Sequence, residues 1–220
     1  MKNYTEPIFV LLAGLRAALR EHPFLVAARS GGLPLSTLHA FAWYQFSDSI
    51  LWIPMLAQMR TKAQRSDRLR RAIAENIAHE AGLHAASHVS LAVGLMRSLG
   101  IRDSSGFREK VFSTNAGYWL SDEADAMEDP EIAGWLLTAE TLVPDLFGAV
   151  LPSFAEIGAD TKYFDEHVEV DGDEHSVWMA ESVAEVVEIY GVNAVPRIIR
   201  GMLDAWAETR EVPDLLSASV

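Results

Sequence analysis

The chain has 220 residues, half of them hydrophobic, which is enough for one domain with a sizeable core. Its formal net charge of −13 disfavours binding to nucleic acid through a basic surface, and the absence of cysteine excludes disulfides, thiolate metal sites and a cysteine nucleophile. No uninterrupted apolar stretch predicts a membrane span and the N-terminal segment lacks a signal-peptide pattern, so we expect a cytoplasmic protein that binds neither membrane nor nucleic acid.

Apolar residues recur at helical spacing along nearly the whole chain, and no segment shows the clear alternation of a strand. Glycine and proline break the pattern in "SGGLP" (30–34) and "GVNAVP" (191–196). The predicted long helices span about 5–22, 36–64, 66–99, 131–157, 160–190 and 197–207.

Residues 101–130 are less regular and predict a short helix from about 105, a break near 117 and an acidic loop. Short connections between so many helices are typical of a bundle. We therefore predict an all-α fold of seven to eight helices, with one domain over 1–210 and a loose C-terminal tail over 211–220.

Two segments combine histidine and carboxylate side chains at the spacing i, i+4, i+8, which places each set on one face of a helix. Five of the seven histidines of the chain fall within these segments, residues 75–95 and 167–175. Taken alone, either set is typical of solvated surface pairs, but two sets with the same spacing in one bundle indicate a metal site between facing helices. The first set is Glu80, His84 and His88, and the second, within "HVEVDGDEH" (167–175), is His167, Asp171 and His175.

A third candidate is Glu140, the only acid in a run that is otherwise apolar from residue 134 to 143. A buried carboxylate is costly unless it is paired or bound to a metal, although a lone acid on an apolar helix can also reach solvent. Beside the two histidine segments, a bridging metal ligand is the better interpretation of Glu140.

Carboxylate and imidazole donors without sulfur suit iron or manganese. Two divalent ions bring four positive charges, of which Glu80, Glu140 and Asp171 offset three, while a single ion would have more ligands than it needs. The residues therefore predict a dinuclear site with neutral histidines completing the coordination.

These residues resemble the haem-oxygenase-like diiron oxidases, in the order Glu80 and His88, then Glu140, then "YF" at 163–164 leading into His167 and Asp171. The resemblance covers most of the chain, from "EHPFLVAARSG" onward. It implies a haem-oxygenase-like bundle that activates O2 at two Fe(II) ions. The six ligands it implies, which would also be the catalytic set, are Glu80, His88, Glu140, His167, Asp171 and His175.

The chain departs from the family pattern in two places. The last histidine normally lies three residues after the aspartate, where this chain has Glu174, so the final ligand is either His175 or Glu174. A helical bulge at Gly172 would bring His175 into line. The first glutamate is one residue further from its histidine than is usual, and His84 has no counterpart, which leaves it as an additional ligand or a group that orients one.

The resemblance implies oxidation of an amino-acid-derived or fatty-acid-like molecule by N-oxygenation, desaturation or carbon–carbon cleavage, in a natural-product pathway. It also implies a homodimer, and an external electron donor is a possible further partner. Tyr44 and Asp48, with Trp43, are candidates for the substrate pocket, and Arg197 and Arg200 are candidates for binding a carboxylate, although a solvated helix end explains the arginines slightly better. Two other functions stay open, namely a cofactor-free oxidase of the same fold and a non-enzymatic bundle that binds a metal or another ligand.

Overall fold

The computed structural model describes residues 4–83, 86–101, 127–170 and 175–217 of the chain. Within these ranges all regular structure is helical, which confirms the predicted all-α class. The helix predicted from about 105, the break near 117 and the acidic loop lie outside the described residues. The α-helices are α1 (Glu6–Arg20), α2 (Pro23–Arg29), α3 (Leu35–Lys62), α4 (Asp67–Glu80), α5 (His88–Ser98), α6 (Asp129–Glu156), α7 (Lys162–Val170), α8 (Ser176–Tyr190) and α9 (Ala194–Ser217), with a short 3-10 turn, Gly191–Asn193, before α9.

The single helix predicted over 66–99 is wrong, because α4 and α5 occupy this segment with a turn between them. Helix α4 ends at Glu80, and Gly82 follows with φ +80°, a left-handed conformation that favours glycine because it has no Cβ. Ser87 then caps α5 by accepting a hydrogen bond from the backbone N–H of Ser90. The last residue of α4 therefore lies beside His88, the first residue of α5.

The C-terminal segment is more helical than the sequence predicts. The expected helix end near residue 207 and the loose tail after it are wrong, since α9 continues to Ser217. Val212 and Leu216 are buried in the core, and their burial stabilises these additional turns. The one helix predicted over 160–190 appears as α7 and α8, with residues 171–174 between them outside the described part of the chain.

Helix α6 lies at the centre of the bundle, where it packs against α9, α8, α2 and α7. It begins with Pro130 in its first turn and with reciprocal side-chain to backbone hydrogen bonds between Glu128 and Glu131. Gly134 of α6 and Gly201 of α9 form the crossing of these two helices. A Cβ at either glycine would overlap a backbone carbonyl of the facing helix, so only glycine permits this approach.

Among the described helices, α6 is also long and apolar enough to cross a membrane by length and composition alone. However, 67% of its most apolar window is buried inside the protein. Buried core helices pass the same test, so this is weak evidence for a membrane span.

The buried apolar side chains form two clusters that follow one another along the long helices. Residues 132–139 of α6 contribute to the first cluster and residues 142–154 to the second. Helices α3 and α9 pass from one cluster to the other in the same way. Polar side chains lie at these transitions, and we call them the polar layer: Asp48, Ser49, Glu80, His88, Glu140, His167, His175 and Glu208.

Candidate metal centre

Glu80 and His88 form the first carboxylate–imidazole pair of the polar layer. The turn between α4 and α5 places Nδ1 of His88 2.6 Å from Oε2 of Glu80. Both residues are buried, with 1% of His88 and 6% of Glu80 exposed. Burial raises the pKa of the Glu80 carboxyl above its usual range, and the hydrogen bond to His88 opposes this shift. The sequence predicted that these two residues share one face of a continuous helix; a turn between two helices instead brings them into direct contact.

Glu140 and His175 form the second pair. Oε2 of Glu140, near the middle of α6, lies 3.1 Å from Nδ1 of His175, which directly precedes α8. The side-chain amide of Asn76 on α4 donates a hydrogen bond of 2.5 Å to Oε1 of the same carboxylate. Glu140 is 3% exposed, which fits the interpretation that this isolated acid points into the protein rather than to solvent.

His167 comes from α7 and lies next to the first pair. Its Nδ1 is 2.7 Å from the backbone carbonyl oxygen of Tyr163; because a carbonyl only accepts, Nδ1 carries the proton and Nε2 keeps a lone pair for a metal. The rings of His167 and His88 have centroids 4.2 Å apart. Burial holds the pKa of His167 well below its usual value, and the neighbouring histidines lower it further, so the imidazole is neutral at pH 7. The ligand atoms of Glu80, His88 and His167 all lie within 4.8 Å of one another.

The structure adds two residues that sequence reasoning missed, His79 and Glu166. Nε2 of His79 lies 3.4 Å from a carboxylate oxygen of Glu166, and together with His88 they form a second group whose ligand atoms lie within 4.8 Å. The ring of His79 lies between His88 and His175, at centroid distances of 5.2 and 5.3 Å. Each missed residue directly precedes a predicted ligand in the sequence. In a continuous helix over 66–99, His79 would lie about 100° around the axis from Glu80 and would point away from a site on the Glu80 face. Because the helix ends at Glu80, the ring of His79 instead lies beside that of His88.

Three predicted ligands lie outside the described residues: Asp171, Glu174 and His84. The same holds for Gly172, so the predicted bulge at that residue stays a prediction. His175 is the first described residue after this gap and lies in a π-helical turn, a distortion that is frequent at functional sites. His175 is thus near the other donors, and the alternative between it and Glu174 stays open.

The described donors suit a non-haem iron site. Five buried side chains contribute two carboxylates and three imidazoles without sulfur, which is the donor chemistry of iron and manganese in helical bundles. Haem iron, in contrast, takes one or two axial ligands and leaves a carboxylate-rich set unused. Glu80, Glu140 and His167 also line a cavity of about 80 Å³, so these donors face open space. The five are Glu80, His88, Glu140, His167 and His175.

The predicted pocket residues have different positions. Tyr44 and Asp48 line a larger cavity of about 480 Å³ beside the metal centre. Trp43 is not part of either cavity lining and packs edge-on against Phe46 in the second apolar cluster, at a centroid distance of 5.8 Å.

The predicted role of Arg197 in binding a substrate carboxylate finds no support. Arg197 donates to the carboxylates of Glu131 in α6 and of Glu128, the residue that caps α6, at 2.6 and 2.9 Å. These ion pairs raise the pKa of its guanidinium above its usual value. Its neighbour on the same helix, Arg200, is exposed.

The sequence matches a protein family described as "iron-containing redox enzyme" over residues 38–207. The match covers more than three quarters of the chain and includes every described candidate ligand. A search of curated proteins found no sequence similar to this one. The all-α architecture agrees with the haem-oxygenase-like bundle that the sequence resemblance implies.

Proposed function

This chain belongs to the family of iron-containing redox enzymes, and on that premise we propose that it is a non-haem diiron oxidase or oxygenase that uses O2 to oxidise a small organic molecule. Membership of the family makes it an oxidoreductase that contains iron. The number of ions, the absence of haem and the use of O2 are the parts that we propose.

The observation that carries the proposal is the presence of two buried carboxylate–imidazole pairs in one polar layer. Glu80 with His88 and Glu140 with His175 come from different helices, and their charges are close enough that Glu140 raises the pKa of Glu80. Bundles that bind two ions use such pairs, one carboxylate and one histidine for each metal. His167, whose Nδ1 is held by the Tyr163 carbonyl, adds Nε2 as a donor beside the first pair.

In this proposal the first ion binds Glu80, His88 and His167, and the second binds Glu140 and His175, with Asp171 completing the set. His79 and Glu166, whose ligand atoms group with that of His88, are alternative donors, and the ring of His79 also lies beside that of His175. Manganese would accept the same donors, so metal analysis has to include it.

When bound, two ferrous ions supply the electrons and coordination positions that O2 needs for activation. The protein's own residues orient the donors and keep water away. Asn76 donates to Glu140 and thereby fixes the plane of its carboxylate, while the Tyr163 carbonyl fixes the ring of His167. Phe147 packs edge-on against His167 at a centroid distance of 4.9 Å and contributes an apolar wall to the small cavity.

Electron balance implies a further partner. Reduction of O2 to two waters takes four electrons, and a two-electron oxidation of the substrate supplies two of them. For a substrate oxidised by two electrons, an external electron donor supplies the other two. We also propose a cytoplasmic location, a homodimer and a biosynthetic pathway, on the basis of the family resemblance alone.

Iron stoichiometry tests the proposal. Metal-free protein is titrated with Fe(II) under anaerobic conditions, and bound iron and manganese are measured by elemental analysis. We expect about two irons per chain and an absorption change on addition of O2. Glu140→Ala and His167→Ala are expected to lower the iron content, whereas Glu188→Ala on the exposed face of α8 keeps it unchanged.

Circular dichroism of each variant distinguishes a lost ligand from a lost fold. Unchanged iron content in both folded ligand variants contradicts the assignment, and one iron per chain limits the centre to a single ion. Iron binding without any reaction with O2 favours the non-enzymatic alternative. His79→Ala and His175→Ala, compared in the same titration, identify which histidine serves the second ion.

A further inference from the structure

A second cavity adjoins the metal centre. It has a volume of about 480 Å³, within the range of small-molecule binding sites, and lies between α3, α6 and α9. It shares part of its wall with the small cavity at the candidate ligands. The shared residues are Gln45, Asp48, Trp52, Val143 and Phe147. A molecule in the larger cavity would thus reach towards the metal centre without crossing the core.

The described lining of this cavity is mostly apolar and aromatic, and its charged residues are all acids. Trp52, Trp135 and Phe147 supply aromatic surface. Three carboxylates also line the cavity, and we call them the acid trio: Asp48, Glu208 and Glu211. None of the described lining residues is lysine, arginine or histidine.

Burial and mutual repulsion act on the carboxyl groups of Asp48 and Glu208. Burial, followed by the charges of Asp48 and Glu211, raises the pKa of Glu208 to about 8. Burial and the charge of Glu211 raise the pKa of Asp48 to about 7. Carboxylates that are kept in an apolar cavity at this cost are stabilised by a cation placed between them.

Gln45 provides an independent sign of a ligand. Its side chain is 96% buried and lines both cavities, being only 4% exposed. Within the described part of the chain, its side-chain amide makes no hydrogen bond; only its backbone carbonyl accepts one, from Ser49. A buried amide costs free energy unless a partner is supplied, and a polar group of a bound molecule in the cavity would supply one.

We propose that the larger cavity binds the oxidisable substrate as a cation, an amine whose ammonium group lies among the acid trio and whose apolar body extends along Trp52 and Phe147 towards the metal centre. The inference rests on the proposed function and narrows its substrate class. A fatty-acid carboxylate does not fit, because it would meet three acids and no base in the described lining. Aromatic rings in the wall also favour a cation through their negative faces.

The test measures binding rather than turnover, with full-length metal-free protein and isothermal titration calorimetry. The probes are heptylamine, heptan-1-ol and heptanoate, which share an apolar chain and differ in head group. At pH 8.5 the amine is protonated, as a lysine side chain would be. We expect heptylamine to bind at least ten-fold more tightly than heptan-1-ol, and heptanoate to show no binding.

Charge-neutralising variants locate the ammonium group. Glu208→Gln is expected to weaken heptylamine binding about ten-fold and to leave heptan-1-ol binding unchanged. Glu211→Gln provides a second variant at an exposed position, and Glu188→Gln, which removes the same charge from an exposed site on α8, is the matched control. Equal affinity for amine and alcohol, tighter binding of heptanoate, or an amine affinity that Glu208→Gln and Glu211→Gln leave unchanged overturns the inference.

Titration with Mg²⁺ separates an organic cation from a metal ion. Binding of Mg²⁺ that is lost in Glu208→Gln, with no binding of heptylamine, assigns the acid trio to a divalent ion and rejects the amine. The results distinguish a wrong assignment of the amine site from a wrong assignment of the diiron centre. Amine binding by a protein that binds no iron retains the cavity assignment and rejects the diiron centre, whereas two irons per chain with a preference for heptanoate does the reverse.

Discussion

Replacing Glu208 with glutamine is expected to stabilise the protein at alkaline pH. The pKa of this carboxyl is about 8 in the folded protein and 4.5 ordinarily, so between these values the folded state holds a proton that the unfolded state has lost. The free energy of unfolding therefore falls as pH rises through this window, by up to about 1.4 kcal/mol per pH unit, or roughly 5 kcal/mol in all. Part of this loss comes from repulsion between Glu208 and the carboxylates of Asp48 and Glu211, and solvent screens part of that repulsion. Removing the Glu208 charge alone is therefore expected to restore about 2 kcal/mol of the free energy of unfolding.

Thermal unfolding at two pH values measures this effect. For a chain of this size, 2 kcal/mol corresponds to a rise in Tm of roughly 4–8 °C. The Tm of the variant is expected to exceed that of the wild-type protein by this amount at pH 9. At pH 5 the Glu208 carboxyl of the folded wild-type protein is largely protonated and neutral, so the two Tm values are expected to match. Glu188→Gln controls for the change in net charge. A gain that is equal at both pH values, or a lower Tm at pH 9, would refute the reasoning.

Three further substitutions follow from the contacts of the core. Gly134→Ala drives a methyl group into the facing helix and is expected to cost about 3 kcal/mol in unfolding experiments, whereas Gly14→Ala, with open space around it, is tolerated. Asp129 accepts hydrogen bonds from three consecutive backbone N–H groups that precede α4, so Asp129→Ala should lower the free energy of unfolding by about 2–4 kcal/mol, with partial recovery in Asp129→Asn. Asn76→Ala releases the Glu140 carboxylate and is expected to weaken Fe(II) binding about ten-fold in the anaerobic titration; an unchanged affinity would exclude a positioning role.

Helix α6 illustrates what the sequence makes predictable. Pro130 and the glycine after residue 157 delimit it, and the predicted span of 131–157 agrees with the observed Asp129–Glu156 within two residues. The same local reasoning identified Glu140, because a single acid within a long apolar run has few solvent-facing positions. Local composition was sufficient for the helix bounds, whereas the interpretation of Glu140 also needed the two histidine segments.

The pair Glu80 and His88 shows where local reasoning fails. A separation of eight residues fits one face of a continuous helix, but it also fits a helix end, a turn and a new helix start, and the helical signal is strong on both sides of the turn. A common helical face was predicted, and the direct contact that the turn produces was not. His79 was missed for the same reason, since its position depends on that turn.

The acid trio was beyond local prediction except for Asp48. Its members come from α3 and α9, and Asp48 and Glu208 are 160 residues apart in sequence. Helical spacing identifies which face of α9 is polar, but it does not identify which helix that face meets. The choice of neighbour is made by the packing of α9 on α6, including the glycine crossing.

The polar layer also separates the two apolar clusters of the core. Each apolar cluster is continuous on its own side, while the layer between them holds carboxylates and imidazoles whose charged or hydrogen-bonded state depends on what they bind. Backbone amides near the polar layer should then exchange their hydrogens with solvent faster than amides within either cluster, because local opening near the layer breaks few apolar contacts and costs little free energy. Metal ions bound in the polar layer would connect side chains from several helices. The backbone amides of α4 and α8 nearest the metal centre are therefore those whose hydrogen exchange should slow most when iron is added.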